Sequence, residues 1–153
     1  MPQLVKGGKH AFGWSRVRAS GRIMIPPEAI TEYHLQESDK LIVMPGSRTS
    51  GGFGLGSRES VKKSPIGTVL HAHPELAECR VPEGEVIEHG GKPFCWVELG
   101  NGGITVPPAT LACYGIRIGA RLLVIRGSGL AVGFAVRGPI VEEAWKHPVL
   151  EEI

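Results

Sequence analysis

Residues 21–47, GRIMIPPEAITEYHLQESDKLIVMPGS, read as a strand, a proline-started short helix, a turn and a second strand. The stretch recurs 81 residues later as GGITVPPATLACYGIRIGARLLVIRGS, residues 102–128, and no gap is needed to align positions 21–53 with their counterparts. Self-similarity at a fixed spacing is the signature of a repeat. The identical pairs are Gly21/Gly102, Ile23/Ile104, Pro26/Pro107, Pro27/Pro108, Tyr33/Tyr114, Leu41/Leu122, Val43/Val124, Gly46/Gly127, Ser47/Ser128, Gly52/Gly133 and Phe53/Phe134.

The similarity continues on both sides of this stretch. GGKHAFGW at 7–14 is similar to GGKPFCW at 90–96, and SPIGTVLHAHPELAE at 64–78 is similar to GPIVEEAWKHPVLEE at 138–152. We infer an internal duplication, with repeat 1 over residues 6–79, a polar linker over 80–88, and repeat 2 over 89–153.

Each repeat predicts the order β-β-α-β-β followed by a helix. Asn101-Gly102 is a strong hairpin signal because both residues tolerate positive φ, and Ser20-Gly21 stands at the same place in repeat 1. Gly115 suits the left-handed residue that ends the short helix, a place that His34 takes in repeat 1. Four strands of about five residues cannot bury both faces alone. We therefore expect a mainly β fold in which the two repeats pair into one pseudo-two-fold barrel.

Composition limits the class of protein. Among the 153 residues, 42% are hydrophobic and 21% are charged, which is ordinary for a globular chain. No window holds about 18 uninterrupted apolar residues, and residues 1–14 lack the apolar core of a signal peptide. We expect a cytoplasmic protein without a membrane span. Three cysteines, never spaced as CxxC, predict buried free thiols; they are Cys79, Cys95 and Cys113.

The net charge of +2 is unevenly distributed. Residues 1–79 contain ten Lys and Arg against seven Asp and Glu, whereas residues 80–153 contain seven against eight. The basic excess therefore lies in repeat 1.

Residues 21–44 resemble the AbrB/SpoVT family of swapped-hairpin DNA-binding domains, which includes MazE-type antitoxins. The family pattern is a Gly-Arg pair, an apolar-x-Ile/Val-Pro run, a short helix ending Leu-Gly-Leu, and Gly-Asp-x-Leu. Repeat 1 supplies Gly21, Arg22, Ile23, Ile25, Pro26, Leu35, Asp39 and Leu41, and repeat 2 supplies Gly102, Ile104, Val106, Pro107, Gly115, Ile116, Gly119 and Leu122. Family members interleave the hairpins of two chains into one β-barrel, so the resemblance implies a fused pseudo-dimer.

The resemblance also implies binding of double-stranded DNA through basic residues of the first hairpin. Repeat 1 presents Arg16, Arg18 and Arg22 there, with Lys6 and Lys9 in support. Repeat 2 has Glu98 and Gly103 near the matching positions. We expect a transcription regulator that contacts DNA asymmetrically and recognises mainly its backbone and shape. A homodimer of such pseudo-dimers would present two basic faces to a symmetric site.

Metal binding and catalysis find little support in the sequence. The residues that first suggest a metal site are His71, His73, Cys79, His89 and Cys95. The repeat aligns His71 with Trp145 and Cys79 with Ile153, which cannot act as ligands, so we expect no metal and no cofactor. Asp39 is the only aspartate, and no catalytic constellation is visible, so we do not expect an enzyme.

Two alternatives to a DNA-binding regulator remain open. The first is a protein-interaction module, antitoxin-like or a scaffold, that binds a protein partner through the C-terminal helices at residues 138–153. The second is a small-ligand-binding barrel, because GSGLAVGFAV at 127–136 permits close approach of a ligand to the backbone.

Overall fold

The computed structural model describes residues 3–4, 10–37, 39–126, 130–146 and 152–153. As predicted, the fold of these residues is mainly β. The strands are β1 Gln3–Leu4, β2 His10–Arg16, β3 Arg22–Met24, β4 Lys40–Pro45, β5 Phe53–Ser57, β6 Ile87–His89, β7 Lys92–Glu98, β8 Gly103–Thr105, β9 Arg121–Arg126 and β10 Val132–Ala135. The helices are α1 Pro27–Glu32, α2 Arg58–Lys62, α3 Gly67–Ala72, α4 Pro74–Ala77, α5 Pro108–Cys113 and α6 Pro139–Ala144.

Pairs of strands from the two halves of the chain alternate in one large antiparallel sheet. Its order is β1-β2-β9-β10-β5-β4-β7-β6. Strand β2 of the first half pairs with β9 of the second, and β7 of the second half pairs with β4 of the first. Strands β3 and β8 pair separately as a two-stranded ribbon. Neither half therefore completes its own sheet.

The strand register relates equivalent residues of the two halves. Ile23 pairs with Ile104 in the ribbon, and Phe53 pairs with Phe134 in the large sheet. The two phenylalanine rings stack with centroids 4.6 Å apart, and both side chains are buried. A local two-fold axis relating the two halves would pass through both pairs.

The predicted barrel is not closed in the described part of the chain. Strands β1 and β6 lie at the two ends of the sheet order. Strands β3 and β8 pair with each other and not with β1 or β6, so the ribbon does not connect the two edges of the sheet. The ribbon packs over one face of the sheet as a second layer. The prediction of a barrel was therefore wrong in this respect.

The central strands β4 and β9 are buried on both faces, as their continuous apolar runs indicate. Leu41 and Val43 point to the main core between sheet and ribbon, while Ile42 and Met44 point to the opposite face. On that opposite face, α2, α3 and α4 cover the half that contains β4. Helix α6 covers the half that contains β9. The aromatic residues that recur in both repeats, Trp14, Trp96, Phe53 and Phe134, are all buried.

The turn predictions are confirmed by the backbone. Ser20 and Gly21 have φ values of 65° and 84°, and Asn101 and Gly102 have 52° and 78°. His34 takes the left-handed conformation that ends α1, with φ 54°. Local sequence chemistry therefore sets these turns in both halves.

Two local predictions need correction. The sequence of residues 56–63, GSRESVKK, is polar and charged and predicts an exposed loop, but these residues end β5 and form α2, where the Ser57 hydroxyl accepts a hydrogen bond from the Ser60 amide and Val61 is fully buried. The single helix expected after β5 is divided into α3 and α4 at His73, which precedes Pro74 and has non-helical backbone angles, φ −130° and ψ 75°.

The three free cysteines differ in exposure. Cys95 is buried, as predicted, whereas Cys79 is half-buried and Cys113 is exposed. Burial raises the pKa of the Cys95 thiol to about 12. The thiolate is the form of a cysteine that reacts. Cys95 is therefore protected both by its burial and by its raised pKa, whereas Cys113 is accessible to reagents.

A thiol-specific reagent should therefore distinguish these residues. In the folded protein at pH 8 we expect Cys113 to react first and Cys95 at least about a thousandfold more slowly, because burial suppresses its thiolate. Mass spectrometry after timed labelling gives the order, with Cys113→Ser as the control. Equal rates for Cys95 and Cys113 would contradict the burial of Cys95.

Candidate nucleic-acid interface

The three arginines predicted from the sequence lie around one hairpin turn. Arg16 ends β2, Arg22 begins β3, and Arg18 lies between them. The Arg18 amide donates to the Arg22 carbonyl over 2.8 Å, which closes the turn. The supporting residues Lys6 and Lys9 lie outside the described residues.

Repeat 2 contributes further arginines at the same end of the sheet, which sequence reasoning missed. Arg121 begins β9 and pairs directly with Arg16. Arg117 lies in the turn before β9, and that turn bonds to the end of β2 through Gly119 and Ala120. We call Arg16, Arg18, Arg22, Arg117 and Arg121 the arginine cluster. The resemblance implies that hairpins from the two repeats interleave. Extending that expectation to a pairing of β2 with β9 would have predicted that Arg121 lies next to Arg16.

Among the described residues, the carboxylate of Glu152 contacts two members of this cluster. Its two oxygens accept hydrogen bonds from Arg121 Nε at 2.6 Å and Arg16 Nε at 3.3 Å. Backbone bonds hold it there, because the Ile153 amide donates to the Trp14 carbonyl and the Arg16 amide donates to the Ile153 carbonyl. Desolvation opposes ionisation, but the bonds from Arg121 and Arg16 prevail and the pKa of Glu152 is lowered. Glu152 therefore stays charged and neutralises part of the cluster.

Arg121 and Arg16 are also restrained by other contacts. The Arg121 guanidinium lies 4.2 Å from the centre of the Trp14 ring, a cation–π contact. Arg16 Nη1 donates to the Gly119 carbonyl over 3.0 Å. Both side chains remain exposed, at 49% for Arg16 and 41% for Arg121. The cluster is thus partly pre-organised and still accessible to a ligand.

Arg22 has a role within the fold that the sequence did not indicate. Its Nη2 donates to the Gly100 carbonyl and, over 3.5 Å, to the Asn101 carbonyl. Its guanidinium carbon lies 3.2 Å from where a Cβ on Gly103 would be. Gly103 is the counterpart of Arg22 in repeat 2, so its missing side chain leaves room for Arg22 to hold the second hairpin turn.

Arg18 and Arg117 are the free members of the cluster. Both residues are exposed, and among the described residues neither guanidinium has a hydrogen-bond or ion-pair partner. Their donors are therefore available to phosphate oxygens.

The equivalent end of the other half is not basic. Lys40 pairs with Glu98 at the register position of Arg121 and Arg16. The Glu98 amide donates to a carboxylate oxygen of Glu83 over 2.7 Å, which adds a second acid there. Glu98 therefore lies at the register position of Arg16, and of these two equivalent ends only that of β2 and β9 carries paired arginines in the described residues.

Of the five residues considered as metal ligands from sequence, two come together. His73 Nε2 lies 3.2 Å from His89 Nδ1, and His73 Nδ1 lies 3.2 Å from a carboxylate oxygen of Glu75. A backbone hydrogen bond is the largest cause of a lowered Glu75 pKa, with a smaller contribution from His73. Among the described residues, no group of three or more His, Cys, Asp and Glu side chains is arranged to hold a metal.

An apolar cleft lies where β5 and β10 meet on the sheet face opposite the ribbon. Its volume is about 320 Å³, and Gly54 and Gly133 leave its floor without side chains. Ile66, Leu130 and Ala131 form part of its walls. Strand β10 belongs to the glycine-rich stretch from which a ligand-binding barrel was considered.

Comparisons with protein-family models, with curated proteins and with solved structures each gave no match. The described helices include none with the length and apolar character needed to cross a membrane.

Proposed function

We propose that the chain is a double-stranded-DNA-binding regulator of the AbrB/SpoVT type, in which two fused repeats form one swapped-hairpin unit. The alternation of strands from the two halves supports this reading, because β2 pairs with β9 and β7 with β4. The pairing of Ile23 with Ile104, which are equivalent in the repeat, favours a two-fold origin. A fused unit needs no second chain to complete its sheet.

The arginine cluster is the observation that carries the proposal. Arg16 and Arg121 pair at one end of the sheet, Arg18 and Arg117 lie in the turns next to them, and among the described residues the carboxylate of Glu152 bonds Arg16 and Arg121. DNA affinity arises mainly from neutralised phosphates. Arg18 and Arg117 supply unpaired guanidinium groups, and Arg16 and Arg121 become available when Glu152 is displaced. Base-reading side chains are few, so backbone and shape recognition dominate.

The single basic end determines how a symmetric DNA site would be bound. One chain presents one arginine cluster, whereas the equivalent end carries Glu98 and Glu83. Two chains joined as a homodimer of pseudo-dimers would present two clusters to the two half-sites of a palindrome.

Substitution of Arg18 tests the proposal most directly, because its side chain bonds to nothing else in the described fold. We expect Arg18→Ala to weaken DNA binding several-fold and to reduce the slope of log K against log salt by about 1. Fluorescence anisotropy with a labelled duplex at several salt concentrations measures both quantities.

Arg80→Ala is the matched control, since Arg80 is exposed and its neighbour Val81 accepts a hydrogen bond from Trp96 of β7, far along the sheet order from β2 and β9. It removes the same charge and should leave the slope unchanged. Absence of binding by the wild-type protein at low salt, where non-specific attraction is strongest, would contradict the proposal.

Two observations favour the alternatives if DNA binding fails. Trp145 at the end of α6 is 67% exposed, and a large exposed aromatic residue is typical of protein interfaces. It lies within the segment 138–153, which the sequence marks as a partner-binding region. The apolar cleft at Gly54 and Gly133 fits a small apolar ligand instead.

A further inference from the structure

His73 and His89 meet from elements that are distant from the arginine cluster. His73 lies at the break between α3 and α4, and His89 ends β6 at the far edge of the sheet. Their rings are nearly perpendicular, at 86°, and their facing nitrogens are 3.2 Å apart. Both residues are half-buried, so the pair is held by the fold and remains reachable from solvent.

Glu75 determines which nitrogen of His73 carries the proton. An ionised carboxylate only accepts hydrogen bonds, so Nδ1 of His73 donates to Glu75. In the neutral ring the lone pair then resides on Nε2, which faces His89. A histidine whose remote N–H is bonded to a carboxylate is the usual arrangement of a metal-binding imidazole.

The distance between the facing nitrogens fits a shared cation. Two nitrogens at about 2.0–2.1 Å from a tetrahedral ion are roughly 3.3 Å apart. The observed 3.2 Å is close to that value. With Nε2 of His73 as the acceptor, the 3.2 Å contact is a hydrogen bond donated by Nδ1 of His89. A metal ion would displace that proton, and both nitrogen lone pairs would then coordinate one ion between the rings.

We propose that His73 Nε2 and His89 Nδ1 bind a divalent transition-metal ion, with Glu75 positioning His73. Imidazole ligands select ions such as Zn²⁺ and Ni²⁺ over Ca²⁺ and Mg²⁺, which prefer oxygen. The protein supplies two ligands, and water completes the coordination.

The surroundings leave space for those additional ligands. His89 lines a cleft of about 440 Å³ that is also bordered by Thr68, Gly90 and Lys92. A metal held at the pair would join α4 to β6, and the site is independent of the proposed DNA-binding function.

Titration of the untagged full chain with NiCl₂ or ZnCl₂ by isothermal calorimetry tests the proposal. We expect one ion per chain, and loss of that binding in both His73→Ala and His89→Ala. Glu75→Gln should lower the affinity by about tenfold without abolishing binding, since it only orients a ligand. With Co²⁺, visible absorption should report nitrogen ligation that disappears in the same two variants.

His71→Ala is the matched control, because His71 is exposed on α3, two residues from His73. It should bind metal as the wild type does. Circular dichroism without metal establishes that the variants are folded. Absence of saturable binding in the wild type, or binding that survives in folded His73→Ala and His89→Ala, would overturn the proposal. Equal loss in His71→Ala would overturn the two-residue assignment.

Discussion

Replacing Glu152 by Gln is expected to tighten DNA binding at low salt by about tenfold and to steepen its salt dependence by about 1 to 2 units of slope. The carboxylate of Glu152 bonds both Arg16 and Arg121, which face each other across β2 and β9. Its removal leaves two guanidinium groups to neutralise phosphates. Fluorescence anisotropy with a labelled duplex between about 50 and 200 mM salt measures both changes.

Glu142→Gln is the appropriate control for this substitution. Glu142 is exposed on α6 and removes the same unit of charge when replaced. A general change in net charge would affect both variants alike, whereas release of the arginine cluster affects only Glu152→Gln. Identical binding curves for the two variants would show that Glu152 does not restrain the cluster during DNA binding.

Replacing Gly21 by Ala is expected to destabilise the protein by about 3 kcal/mol or more, because two costs combine. Gly21 has a φ of 84°, which an alanine adopts only with strain. A Cβ on Gly21 would also collide with the carbonyl oxygen of Val106. Since the Val106 amide donates to the Gly21 carbonyl over 3.0 Å, the strand cannot move away without losing that bond. Urea denaturation measures the free energy of unfolding.

Gly102 is the counterpart of Gly21. Comparing Gly102→Ala with Gly21→Ala distinguishes the cost of backbone strain from the cost of the collision. The φ of Gly102, 78°, is similar, but a Cβ there would meet only Met24 Cε at 3.5 Å. Gly102→Ala should therefore cost only the conformational strain, about 1 kcal/mol. Equal destabilisation by the two substitutions would show that contact with Val106 contributes nothing.

The sequence predicts the features that depend on near neighbours in the chain. The apolar runs of β4 and β9, the turns at Ser20-Gly21 and Asn101-Gly102, and the left-handed His34 all follow from local residue chemistry. The repeat further predicts that the two halves of the chain contain the same local elements in the same order. The closed barrel was wrong because pattern and spacing do not determine whether β3 and β8 join the large sheet or pair with each other.

The candidate site depends on contacts between distant residues. Arg16 and Glu152 are 136 positions apart, and no periodicity indicates that Glu152 returns to the edge of β2. Arg22 was expected among the DNA-binding residues, but its bond to the Gly100 carbonyl exists only because the second hairpin packs against the first. Such contacts follow from the three-dimensional pairing of strands.

The histidine pair shows a limit of reasoning from the repeat. Aligning the two halves argued against a ligand set because His71 and Cys79 have counterparts that cannot bind metal. The repeat gives no information on His73 and His89 as a pair, which is formed between α4 and the segment that follows it. A site formed between the end of repeat 1 and the start of repeat 2 is not detected by comparing the repeats position by position.

The pairing of β2 with β9 also constrains how the chain folds during synthesis. Strand β2 ends at residue 16, and its partner extends from Arg121 to Arg126. At about 5–20 residues per second, a ribosome needs roughly 5–20 s to make the intervening chain. During part of that interval the apolar strand β4 also lacks its partner β7, and unpaired strands are prone to aggregation. Because both strands belong to one chain, the pairing of β2 with β9 needs no second chain but waits for translation of residues 121–126.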